Sequence, residues 1–142
     1  MHFLKKVLLA ALLLCQAPLL AASHSGFAVV IDEKSYAEAR PQVDAYIAQI
    51  ETSGLKVHLV IDRTSQPDSL RNLLRDLHAQ KEAPIEGAVL IGDIPVVMVR
   101  DAQHLTSAFK MDQEAFDRWE SSVPSDRFYD DFSLRFEPIG PD

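Results

Sequence analysis

The chain has a single cysteine, Cys15, among its 142 residues. It lies inside an N-terminal segment that reads as a leader, so once that segment is removed no disulfide can form and no thiol nucleophile remains. Positive charge is also scarce: 14 Lys and Arg stand against 21 Asp and Glu, a net charge of −7. The first 23 residues hold two Lys and no acid, so their removal leaves twelve bases against 21 acids, a charge of −9. A surface this acidic argues against nucleic acid and anionic membranes, where affinity comes from Lys and Arg replacing counterions. No apolar run reaches the about 20 residues that a hydrocarbon core requires. The longest, Val7 to Leu14, is eight residues before Gln16 and Pro18 interrupt it, which excludes a stable transmembrane anchor.

Other signatures are missing as well. Neither Gly-x-Gly-x-x-Gly nor a Walker-type loop follows any strand-like run, which argues against a nucleotide site. No Gly-x-Ser-x-Gly surrounds Ser107, Ser121, Ser122 or Ser125, so serine hydrolysis has no support. The first strand end does not read Asp-x-Asp, as a phosphoaspartate hydrolase would need. Internal repeats, low-complexity tracts and interdomain linkers are absent too.

The leader itself is well marked. Met1 to Lys6 is short and basic, Val7 to Leu14 is apolar, and Ala21-Ala22-Ser23 supplies the small residues of a cleavage site. Residues 1–23 are therefore expected to be a signal peptide that exports residues 24–142 to the periplasm, cell surface or medium. Cys15 does not fit the acylated cysteine of a bacterial lipoprotein, which follows a small residue, because Leu14 precedes it.

The exported part suffices for one core. Phe27 to Ile31, Lys56 to Ile61 and Ala88 to Ile91 are short β-branched runs of the kind found in buried parallel strands. Between the first two, Val43, Tyr46, Ile47 and Ile50 recur at helical spacing, with Pro41 suited to the start and Gly54 to the end. Between the second and third, Leu70, Leu73, Leu74 and Leu77 form a stripe. Thr64 or Ser65 is placed to cap it, Pro67 and Asp68 suit its first turn, and Pro84 blocks its continuation. Strand, helix, strand, helix, strand implies a Rossmann-like α/β sandwich of three layers around a mainly parallel sheet. Val96 to Val99 reads either as a fourth strand or as a continuation bent by Pro95. Beyond Arg100 we expect a helix over Ala108 to Trp119, a loop over Ser121 to Pro124 and an edge strand at Leu134 to Phe136.

Each expected strand ends in an acid, Asp32, Asp62 or Asp93, at the rim where open parallel sheets bind ligands. Three carboxylates there could hold a divalent cation, with His104 within reach as ligand or base. The plainer reading is that each caps the turn that follows. His58 reads as a satisfied core histidine and His78 as a solvated one. The densest stretch is Ser125-Asp126-Arg127-Phe128-Tyr129-Asp130-Asp131-Phe132. Asp126, Asp130 and Asp131 are candidates for a calcium ion, the one cofactor the sequence suggests, or for contact with a basic substrate. Alternatively they form an acid-rich surface loop pinned by Phe128 and Phe132.

The strand running into Val89-Leu90-Ile91-Gly92-Asp93-Ile94-Pro95, followed by Pro124-Ser125-Asp126-Arg127-Phe128-Tyr129-Asp130-Asp131-Phe132, resembles the first subdomain of gingipain-type cysteine peptidases. The likeness covers Phe27 to Phe136. It implies a caspase-like fold whose Cys nucleophile and His-Gly lie in a second subdomain. Neither is present here, since His104 precedes Leu105 and His78 precedes Ala79. Peptide cleavage by a thiolate needs that pair, so the chain as given would carry no catalytic residue and would be inactive. It would be an incomplete, non-catalytic N-terminal subdomain whose partner is the missing catalytic subdomain, acting on polypeptides once completed. Two other readings stand beside this one: a stand-alone secreted binding module, and a metal-dependent hydrolase using Asp32, Asp62, Asp93 and His104.

Overall fold

A computed structural model describes residues 25–63, 66–101 and 112–139. The leader, Thr64, Ser65 and His104 lie outside these residues. Three parallel strands form the sheet: β1 (Gly26–Asp32), β2 (Lys56–Asp62) and β3 (Ile85–Ile91), in the order β2-β1-β3. Gly26 to Asp32 pair in step with Lys56 to Asp62. The β1–β3 pairing slips once, between Gly26 and Phe27, and then runs from Phe27↔Gly87 to Ile31↔Ile91. All three expected strands form, and β3 begins earlier than expected, at Ile85.

Helix α1 (Glu33–Thr52) starts directly at the end of β1 rather than at Pro41. Asp32 takes the N-cap and accepts a hydrogen bond from Ser35 N at 2.9 Å, a local signal strong enough to begin the helix at once. Pro41 then lies inside, and the backbone breaks ahead of it, at Ala39 (φ −118°, ψ 19°), where its missing N–H and its ring are accommodated. Gly54, at φ +93°, closes the helix and donates to Glu51 O at 3.0 Å. Helix α2 (Pro67–Ala79) has Gln66 at its cap position without a side-chain cap bond.

Alternate residues of β1 build two cores. Ala28 and Val30 pack with Leu70 and Leu74 of α2 and with Ile85, Ile94, Phe128 and Tyr129. Val29 and Ile31 pack on the other face with Val43 of α1, backed by Ile47 and Ile50. The molecule is thus a three-layer α/β/α sandwich, compatible with a Rossmann-like fold. Leu73, expected in the apolar stripe of α2, sits at its margin and is 41% exposed.

The second half departs further from expectation. β4 (Met98–Val99) pairs antiparallel with β5 (Val123–Pro124) in a ladder separate from the main sheet. The stretch around Val96 to Val99 is therefore a short strand of its own, and Ser121 to Pro124 is only partly loop. No helix spans residues 112–117. Asp112 instead accepts from Glu114 N and Ala115 N at 3.0 and 3.3 Å, turning the chain. Asp117 caps a single turn, α3 (Arg118–Ser121), by accepting from Trp119 N and Glu120 N. Leu134 to Phe136 is not a strand; the Leu134 carbonyl is taken by an arginine of α2. One further turn, α4 (Arg127–Asp130), is the last described helix. None of the described helices is long and apolar enough to cross a membrane.

Leu74 is 1% exposed and touches the sheet from the centre of α2. Leu74→Ala is expected to cost about 3 kcal/mol, read as a shift in the urea midpoint at unchanged slope.

Candidate functional site

The carboxyl ends of β1 and β3 are joined by one side chain. Asp32 faces Ser35 N with one oxygen and accepts from Asp93 N with the other at 2.8 Å. Hydrogen bonds from Ser35, side chain first and then backbone, and from Asp93 N hold its carboxyl down to about 2 from an ordinary 3.8. The turn after β3 requires Gly92: its φ is +81°, and a Cβ there would fall onto the Asp32 carboxylate and lie 2.5 Å from Ser35 Oγ. Asp32 is therefore consumed as a cap and a bridge, the plainer of its two expected roles.

Asp62, at the end of β2, is partly buried, and its charge helps raise the Tyr129 phenol, which burial raises most. Asp93 is exposed. Among the described residues no three His, Cys, Asp or Glu side chains are gathered as a metal would need. Asp32, Asp62 and Asp93 are thus not gathered with one another, and His104 lies outside the described residues.

Asp126, Asp130 and Asp131 are likewise not gathered into a group of three. Asp126 is exposed at the cap position of α4 without a side-chain cap bond. Asp130 lies 3.9 Å from Arg127. Asp131 turns onto Ser133, accepting from its Oγ at 2.6 Å and its N at 3.1 Å, contacts that lower its pKa. As expected, the rings fasten this stretch: Phe128 and Tyr129 are buried. Phe132 leans on His78, which is solvated but also bonds Ile85 O through Nδ1 at 2.9 Å. His58 is half-buried, with Nε2 3.1 Å from both Ala83 O and Gln80 Nε2.

Arg71 of α2 holds the stretch in place, a role the sequence reading missed. Its guanidinium donates to Phe128 O, and to Asp131 O and Leu134 O at 2.9 Å each. It lies over the rings of Phe128, Phe132 and Phe136 at 5.1, 5.7 and 5.0 Å. The available signal was the spacing of those rings, every fourth residue from 128 to 136. Such a row of apolar faces suits a planar cation.

The Gly92 turn and the 124–129 segment are brought together. Ser125 N donates to Val97 O at 3.0 Å, and Tyr129 Oη donates to Pro95 O at 2.8 Å. Between them lies a groove of about 390 Å³ walled by Leu90, Ile94, Val96, Pro124 and Tyr129, with Ser125 and Asp126 at its polar side. A larger hollow of about 930 Å³ opens beside the start of α2, lined by Trp119, Phe136, Arg100, Arg118 and Arg135 against Asp68, Asp101 and Glu137. Three cations and three acids leave its walls neutral. No described residue is a cysteine, and His58 and His78 are each engaged by backbone carbonyls. The arrangement positions backbone and presents carboxylates; among the described residues it brings no nucleophile onto a base.

No protein-family model matches the chain, and neither the curated proteins nor the solved structures yield a match.

Two measurements test this geometry. Arg71→Lys keeps the charge but cannot fork to three carbonyls, and is expected to cost about 2 kcal/mol, with amide protection lost first over residues 127–136. Asp32→Ala is expected to lower the melting temperature at neutral pH. Because the folded Asp32 pKa is depressed, its stabilisation is full above about 3.8 and vanishes as pH falls through about 2. The melting curves of wild type and variant should therefore converge over that window.

Proposed function

We propose that this chain is the exported, non-catalytic first subdomain of a gingipain-like cysteine peptidase with a caspase-like arrangement, supporting a catalytic subdomain that brings the Cys and the His-Gly. One observation carries the reading. The two motifs behind the family resemblance, Val89 to Pro95 and Pro124 to Phe132, are separated by 28 residues in sequence yet lie against each other, tied by Ser125 N to Val97 O and Tyr129 Oη to Pro95 O. A supporting subdomain needs a firm carboxyl-end surface rather than reactive groups, and the Asp32 bridge and the Arg71 clamp supply firmness there. Asp126 and Asp130 remain exposed beside that surface, where they would form an acidic wall of the substrate cleft. The basic, apolar and small-residue segments of positions 1–23 support export.

The test is the genomic DNA beyond the Asp142 codon. We expect an open frame with a His-Gly pair and a later Cys, each closing an apolar run. A stop codon immediately after Asp142 in an intact gene overturns the proposal. So does iodoacetamide-sensitive peptide cleavage by the purified chain alone.

A further inference from the structure

Strands buried on both sides read as nearly unbroken apolar runs, whereas edge strands carry lysine, proline or other guards against pairing. β2, one edge of the sheet, carries Lys56 at its start and Arg63 just past its end. β3, the other edge, reads Ile-Glu-Gly-Ala-Val-Leu-Ile, without Lys, Arg or Pro. Apart from the exposed Glu86 it has the composition of an interior strand, yet no described strand pairs with its outer side, and His78 Nδ1 engages only the Ile85 carbonyl at its start.

The groove of about 390 Å³ continues this edge at its carboxyl end, since Leu90 and Gly92 belong to its wall. Its lip is apolar: Val96 is 73% exposed. Its charge has one sign. Asp126 lines it, Asp93 lies between its lining residues Gly92 and Ile94, and neither carboxylate meets a partner among the described residues. The remaining charge of the chain, −7 in total, adds to the same field.

We propose that the free edge of β3 and this groove bind an extended polypeptide segment of a partner, which pairs its backbone with β3, seats an apolar side chain in the groove and sets a basic side chain at Asp93 and Asp126. Backbone pairing supplies affinity and the alternate side chains supply selection, as in other cases of strand addition. The inference does not rest on the peptidase reading, because an edge and two carboxylates that no described strand or side chain pairs would serve a stand-alone binding module equally.

The probes are two fluorescein-labelled peptides, one alternating Val and Lys and one alternating Val and Glu, titrated at low salt against the protein as isolated and followed by fluorescence anisotropy. The Val–Lys peptide is expected to bind and the Val–Glu peptide not to bind. Asp93→Asn and Asp126→Asn should each weaken binding about threefold, the scale of an exposed ion pair. Asp44→Asn, which removes an acid of α1 remote from β3, should change nothing. Ala88→Lys places a guard at an exposed position of β3 and should abolish binding while leaving the melting temperature near wild type. Equal binding of both peptides, or wild-type affinity in the Asp93/Asp126 double variant or in Ala88→Lys, overturns the proposal. So does a self-associated protein that binds no peptide and that Ala88→Lys converts to monomer, since the occupant would then be a second copy.

Discussion

The centre of β1 leaves no side chain for water. Ala28, Val29, Val30 and Ile31 are all fully buried, so both faces of the strand must be covered at once. α1 covers one face alone, through Val43, Ile47 and Ile50. α2 is shorter and offers Leu70 and Leu74, so the cover on its side is completed by Phe128 and Tyr129 from far along the chain. The requirement of the central strand thus reaches some 100 residues downstream. Arg71 makes that reach possible, because it turns the outer side of α2 into a socket for backbone carbonyls and rings. A charged side chain spent on three carbonyls and three rings is a structural fastener, and nothing in its surroundings asks it to hold a ligand.

Much of the first half was legible in the sequence because its signals are local. Apolar β-branched runs mark strands whether or not their neighbours are known, and the period of Leu70, Leu74 and Leu77 marks a buried helix face. Pro41 is the more conspicuous start signal for α1, but the Asp32 cap prevails over it. Pro41 does stand near the beginning of a straight segment, but the helix had already begun at Asp32 and simply bent at Ala39. Downstream of Arg100 the local signals conflict. The apolar residues of 108–119 suggest a helix, yet Asp112 and Asp117 draw backbone amides into turns, a competition that periodicity does not register.

The candidate site was legible only in part. That Asp32 would cap follows from its place between a strand and a helix. That it would also bind Asp93 N depends on the register of β1 and β3, a long-range fact. The acids of 126–131 are close in sequence, but they are not gathered into one group, and Asp131 is turned onto Ser133. Arg71 was invisible because its partners are mostly backbone carbonyls, which any residue carries.

In doubly wound sheets the gap between the ends of β1 and β3, where the strand order reverses, is the usual mouth for ligands. Here that mouth is stitched. A carboxylate of β1 holds an amide of the turn after β3, and the glycine between them has no side chain to spare. Opening it would mean unfastening the Asp32 cap on the first turn of α1. A descendant of this sheet could regain the ordinary doorway only by changing Asp32 and Gly92 together.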